Sequence, residues 1–215
     1  MGRVMAQQGG TTEERLLDAA EQLFAAQGYG DTSLRAVTEL AGANVAAVNY
    51  HYGSKEGLLR AVVGRAMAPI NAERDRRLTA LYAETGTPAV DEIVRAFVEP
   101  SLPLDRGSAP SGLERLIATV LLDPDPRIRQ LFADEVDPVE GRYLDALRRA
   151  LPDRDPELVL VGYTNMIGLL ALQQAGTFKG LRLRARTPDT LADSVPVAGT
   201  EYLIAFLVAG LTSPS

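Results

Sequence analysis

The chain has 215 residues, 46% hydrophobic and 23% charged, enough for one medium domain or a small domain joined to a larger one. It holds no cysteine and no tryptophan, and its single histidine is His51. Disulfide frameworks, Cys/His zinc sites and Cys- or His-based nucleophilic triads are thereby deprived of residues. The formal net charge of −6 also runs against a domain that holds nucleic acid by bulk electrostatics. Between Ser33 and Arg65, however, Arg35, Lys55, Arg60 and Arg65 face only Glu39 and Glu56, a local excess of two positive charges. Residues 1–10 lack the apolar core of a secretory signal, so they read as a disordered tail on a cytoplasmic protein.

The first predicted helix starts at a capping box, Thr11 with Glu14, and runs through Leu16, Leu17, Ala20, Leu23 and Phe24 on one face until Gly28 and Gly30 stop it. Thr32 or Ser33 caps a short second helix that buries Leu34, Val37, Leu40 and Ala41. Gly42-Ala43-Asn44 supplies the tight turn. A third helix then carries Val45, Val48 and Tyr52 and ends at Gly53. Ser54 caps a long amphipathic stretch through Leu58, Leu59, Val62, Val63, Met67, Ile70, Leu78 and Leu81, which Pro69 is expected to bend or interrupt.

Further helices are expected over 89–100, 111–122, 126–150, 156–176 and 187–211, with a mobile loop at 105–112. No stretch alternates as a strand, so the fold class is all-α. The apolar run Leu158–Leu172 is shorter than the roughly 20 residues of a membrane span and contains Thr164 and Asn165. It reads as a buried helix, with Gly162, Gly168 and Ala171 small enough to admit a neighbour.

The stretch Thr32–Leu59 carries the functional signal. Two short helices joined by a glycine turn meet the requirement of a helix-turn-helix, which presents its second helix to the DNA major groove. With Val45 and Val48 inward, Asn44, Ala46, Ala47, Asn49, Tyr50 and His51 are left facing outward or sideways, a surface of small and hydrogen-bonding side chains without salt-bridge residues.

The pieces Leu23-Phe24-Ala25-Ala26-Gln27-Gly28-Tyr29, Thr32-Ser33-Leu34-Arg35, Ala41-Gly42 and Asn49-Tyr50-His51-Tyr52-Gly53-Ser54-Lys55-Glu56-Gly57-Leu58-Leu59 together resemble the DNA-binding domain of the TetR family of bacterial transcriptional regulators. The resemblance covers the first quarter to third of the chain. It implies a homodimer whose two reading helices enter successive major grooves of double-stranded operator DNA. It also implies a C-terminal cavity for a small-molecule effector, and release of DNA when that effector binds.

Carried over residue by residue, the resemblance makes Ser33, Tyr50, His51 and Lys55 contacts to the DNA backbone. Arg35, Asn44, Val45, Ala46 and Asn49 take positions from which bases are read. Many members of the family have tyrosine where this chain has Asn49.

The expected organisation is a tail over 1–10, a helix-turn-helix domain over 11–56, and a helical ligand-binding and dimerisation domain over 57–215. Phe132, Tyr163, Met166 and Phe178 are candidates to line an apolar ligand cavity, with Tyr163, Asn165, Gln173 and Gln174 to orient the ligand. The Arg182, Arg184 and Arg186 run reads as solvated. The competing readings are a helical small-molecule carrier or an enzyme using carboxylates such as Asp134 and Glu135, and a helical adaptor that binds only protein. No GxSxG, HExxH, phosphate loop or metal-ligand cluster supports an enzyme, and no cofactor or membrane partner is expected.

Overall fold

The computed structural model describes residues 10–102, 112–175 and 200–213. The tail reading, the loop over 105–112, Phe178, the Arg182–Arg186 run and the first part of the last predicted helix fall outside these residues, apart from Gly10 and Gly112.

Nine α-helices follow in order among the described residues: α1 Thr12–Gln27, α2 Leu34–Ala41, α3 Val45–Tyr52, α4 Lys55–Thr85, α5 Val90–Val98, α6 Gly112–Leu121, α7 Pro126–Ala150, α8 Pro156–Gln174 and α9 Thr200–Thr212, with a 3₁₀ turn at Glu99–Ser101. No strand occurs among the described residues. Local chemistry accounts for most boundaries. The capping box forms as expected, with Glu14 N–H donating to Thr11 Oγ1 at 3.2 Å and Thr11 N–H to Glu14 Oε2 at 2.8 Å. Asp125 and Asp155 cap α7 and α8, each followed by a proline in the first turn, where its missing N–H costs nothing.

Two cores divide the molecule. The first gathers Leu16, Ala20 and Phe24 of α1, Val37 of α2, Val48 of α3, Leu58–Met67 of α4, Leu116, Ile117 and Val120 of α6, and Ile128, Phe132 and Val136 of α7. The second gathers Leu78 of α4, α5, Tyr143 and Leu147 of α7, and the inner faces of α8 and α9. Each fully buried Leu or Phe contributes on the order of 1.5–3 kcal/mol. The core of the N-terminal head therefore draws heavily on residues beyond position 56. Only α4 and α7 belong to both cores, and they pack against each other along their length.

Of the two outcomes expected at Pro69, a bend or an interruption, interruption does not occur: the helix continues to Thr85. Proline removes one hydrogen bond, to Arg65 C=O, while the turns on either side stay pinned by Met67 in one core and Leu78 in the other. α7 carries its own internal proline, Pro138. Near this level Asn71 Nδ2 donates to Glu135 C=O at 3.3 Å, joining the two helices where both ladders are broken.

α8 is not a wholly buried helix. Val159, Tyr163, Met166 and Leu170 face the core, whereas Leu158, Leu160 and Val161 are exposed, the last at 54%. Gly162 is the close-approach point with α9: a Cβ there would lie 2.6 Å from Leu211 Cδ2.

Candidate nucleic-acid interface

The helix-turn-helix is assembled by caps and by two long-range bonds. Ser33 Oγ accepts from Ala36 N–H at 3.1 Å and so caps α2. Gly42 takes φ 60°, ψ 40°, the left-handed conformation that ends α2 and turns the chain. Asn44 does not share that conformation. It caps α3, with Oδ1 accepting from Ala47 N–H at 2.9 Å. Arg15 Nε then donates to Ala41 C=O at 3.0 Å, placing a cation at the negative end of α2. Tyr52 Oη donates to Glu13 C=O at 2.8 Å and pins α3 to α1. Neither Arg15 nor this use of Tyr52 was visible in the sequence, because the partners lie 26 and 39 residues away.

α3 turns Val48 inward and leaves a projecting face. Asn44, Val45, Ala46, Asn49 and Tyr50 are exposed, with Val45 at 42% and Tyr50 at 85%. Val45 therefore does not join the core as its periodicity suggested, while Ala47, expected outward or sideways, lies half-buried against it. Leu40, assigned to the buried face of α2, is likewise exposed, and Thr38 is buried in that helix instead. His51 is half-buried: its ring stands edge-on to Tyr50 at 4.9 Å, and Nδ1 is 3.8 Å from Glu13 Oε2.

Both cations carried over from the family are already engaged. Arg35 Nε donates to Glu39 Oε1 at 2.9 Å on an exposed flank of α2, and that bond raises the guanidinium pKa further. Lys55 Nζ lies 4.2 Å from the Tyr29 ring centroid and 3.5 Å from Gly30 C=O. Partial burial lowers its pKa, opposed by Glu56 and Asp31. Burial, with Glu56 and Asp123 nearby, pushes the Tyr29 hydroxyl up to about 12. Lys55 is thus held at the start of α4 by contacts that fix its direction. Chemically the face offers a hydroxyl at Ser33, an amide at Asn49, a phenol at Tyr50 and methyl groups at Val45 and Ala46. This mixture can meet both phosphates and base edges.

The four ligand candidates do not converge. Phe132 belongs to the first core, Tyr163 and Met166 to the second, and Phe178 lies outside the described residues. Asn165 is exposed on α8, so it cannot orient a ligand inside the bundle as the sequence suggested, and Gln174 Nε2 donates to Ser101 C=O at 3.0 Å. Asp134 and Glu135 pair with Arg60 at 2.8 and 3.4 Å, and hydrogen bonds from Gln130 and Arg60 hold the Asp134 pKa down. Those two acids serve as salt-bridge partners. Among the described residues no group of three or more His, Asp or Glu side chains could hold a metal ion, and no helix is long and apolar enough to cross a membrane.

Comparison with known proteins addresses the whole chain. Residues 16–62 match the family model described as bacterial regulatory proteins, tetR family, and residues 95–210 match the tetracyclin repressor-like C-terminal domain. The HTH-type transcriptional regulatory protein RaaS of Mycobacterium tuberculosis is 45% identical over 203 residues, covering 91% of this chain and 88% of RaaS. The HTH-type transcriptional regulator SrpR of Pseudomonas putida is 33% identical over 73 residues, a match that spans only 34% of each chain. The fold resembles that of the fatty acid degradation regulator FadR from Bacillus halodurans, with a TM-score of 0.62 at 15% identity, over 96% of this chain and 99% of that one. A reading head of this geometry, with the N-terminal and C-terminal family models both matched, places the chain in the TetR family of bacterial transcriptional regulators.

Proposed function

We propose that the chain is a homodimeric, ligand-responsive repressor. Its α3 reads operator bases through Asn44, Val45, Ala46 and Asn49, with Arg35 reaching from α2, while Ser33, Tyr50, His51 and Lys55 hold the DNA backbone. The observation that carries this reading is the projecting face of α3, where short polar and apolar side chains stand clear of the core on a helix fixed at both ends. Phosphate contacts set the register and base edges supply discrimination. The acidic total charge fits a protein that uses few phosphate contacts and relies on fit to the groove.

Dimerisation is supported by α8 and α9. Leu158 and Val161 on α8 and Tyr202 and Phe206 on α9 form an apolar surface, with Phe206 at 57% exposure, and a Cβ at Gly168 or Gly210 would meet open space. Two copies of this helix pair make a four-helix interface. The effector is a mainly apolar small molecule that separates side chains of the second core, where Phe97, Tyr143, Tyr163 and Met166 are the available lining. Coupling to the head runs through α4 and α7, the two helices that join the cores and carry Pro69 and Pro138 at the seam. The effector acts by preferring a dimer whose reading heads no longer match successive grooves, since equal affinity for both states shifts nothing.

The test is a gel shift with the DNA upstream of the protein's own gene, run with wild type and with Val161→Glu. Wild type is expected to sediment as a dimer and give a shift that unlabelled operator, but not random DNA, competes away. Val161→Glu is expected to sediment as a monomer and lose the shift. Competition by random DNA as strong as by operator, or a monomeric wild type at micromolar concentration, overturns the reading.

A further inference from the structure

Arg74 on α4 lies inside the second core, with 3% of its surface exposed. Nε donates to Phe97 C=O at 3.0 Å and Nη2 to Ser101 Oγ at 2.7 Å, and the guanidinium carbon is 3.7 Å from the centroid of the Phe97 ring. Tyr143 Oη donates to the Arg74 carbonyl at 2.7 Å, closing the other side. The guanidinium thus has only neutral hydrogen-bond acceptors among the described residues. Burial pulls its pKa down, opposed by the electrostatics of Glu140, Tyr163 and Tyr143.

The arginines around it are treated differently. Arg76 and Arg77 pair with Glu73, Arg77 and Arg95 with Glu99, Arg95 also with Glu201, and Arg142 with Asp75. Glu73 and Asp75 flank Arg74 in the chain, yet both turn outward to other arginines. Among the described residues no carboxylate hydrogen-bonds to Arg74; a buried cation so placed is costly, and a charge in that state inside a core marks a candidate functional site.

We propose that Arg74 is the anchor for an anionic group, carboxylate or phosphate, at one end of an otherwise apolar effector. This rests on the ligand-responsive reading above and sharpens it. An incoming anion takes the place of the Ser101 hydroxyl on Nη2, exchanging a neutral acceptor for a charged one, and charge-assisted hydrogen bonds are roughly twice as strong as neutral ones. The desolvation cost of the guanidinium has already been met by folding, so only the anion's own desolvation is set against the attraction. The apolar remainder lies against Phe97, whose ring contacts those of Tyr143 and Tyr163. Displacing Ser101 also moves the 3₁₀ turn, which Glu99 ties to Arg77 and Arg95 and whose Ser101 carbonyl holds Gln174.

The experiment titrates the full chain by calorimetry with four probes of one chain length: decanoate, decyl phosphate, decanol and decyltrimethylammonium, each below its micelle concentration. The same titrations are repeated on Arg74→Gln and Arg74→Lys. At least one of the two anions is expected to bind wild type about tenfold or more tighter than decanol, with the cation weakest. If decanoate alone shows the preference the native group is a carboxylate, and if decyl phosphate alone shows it, a phosphate. Arg74→Gln is expected to bring that anion to the level of decanol while leaving decanol unchanged, and Arg74→Lys to keep most of the preference. Anions and alcohol binding wild type alike, no probe binding at all, or a preference that survives in Arg74→Gln overturns the proposal. The wild-type comparison decides even if Arg74→Gln fails to fold. Operator affinity measured with the bound anion separates the two ideas: selective binding that leaves DNA affinity unchanged keeps the Arg74 site and removes ligand release.

Discussion

Asn44 shows how one side chain on the reading face divides its capacity. One lone pair of its amide oxygen is engaged by Ala47 N–H, so the amide nitrogen is the less committed group for a contact to DNA, as a donor. Asn49, five residues on, is exposed, and the proposed base reading expects it to be the better adenine reader of the two. Arg35 is held by Glu39, whose carboxylate also opposes approaching phosphates. Glu39→Gln is therefore expected to raise operator affinity several-fold at low salt, with the gain shrinking as salt is added. Titrations at two ionic strengths check this, and unchanged or weaker binding would show that the pair does not compete with DNA. Ser33 was legible as a cap in the sequence because capping is local, whereas Asn44 was read as part of the turn and instead caps α3. The cradle of Lys55 against Tyr29 was not legible, since it joins positions 26 apart that no period relates.

The helices themselves were largely legible where they are long. The predicted 126–150 coincides with α7, and caps located the starts of α1, α2 and α4. Helix faces were less legible in α2 and α3, which are 8 residues each. A helix of about two turns leaves its burial to tertiary packing, and Leu40 and Val45 ended up exposed. Two glycines on either side of α3, Gly42 before it and Gly57 in the first turn of α4, make different demands. At Gly42 a Cβ would meet nothing within 4 Å, so Gly42→Ala is expected to cost only backbone strain, about 1–2 kcal/mol. At Gly57 a Cβ would lie 1.9 Å from the Tyr52 carbonyl oxygen, so Gly57→Ala must displace the end of α3 from the start of α4. A larger loss of stability and of DNA binding is expected there. Chemical denaturation of both variants checks the order, and equal losses would contradict it.

At the scale of the whole molecule, the reading head is not sealed at residue 56. Leu58–Met67 of α4, with Leu116, Ile117, Val120, Ile128 and Phe132 from α6 and α7, complete its core. A fragment of residues 11–56 is therefore expected to lack a cooperative thermal transition by circular dichroism, whereas the full chain has one. A sharp melt of the fragment would show that the later helices merely lean on the head. This architecture was not legible in the sequence, because α6 and α7 read as members of a separate bundle by their own periodicity. It also bears on control, since α7 touches both the head core and the Arg74 surroundings.

The central claim is that the exposed face of α3 reads base sequence while Lys55 holds phosphate. Its most direct test is the ratio of affinities for operator and for a base-shuffled duplex, measured by anisotropy titration across a range of salt. Asn49→Ala is expected to lower that ratio by about 1–3 kcal/mol in free-energy terms while leaving binding to the shuffled duplex unchanged. Lys55→Ala is expected to weaken both duplexes alike and to reduce the salt slope by about one unit. Equal effects of Asn49→Ala on both duplexes, or a specificity loss confined to Lys55→Ala, would contradict the account.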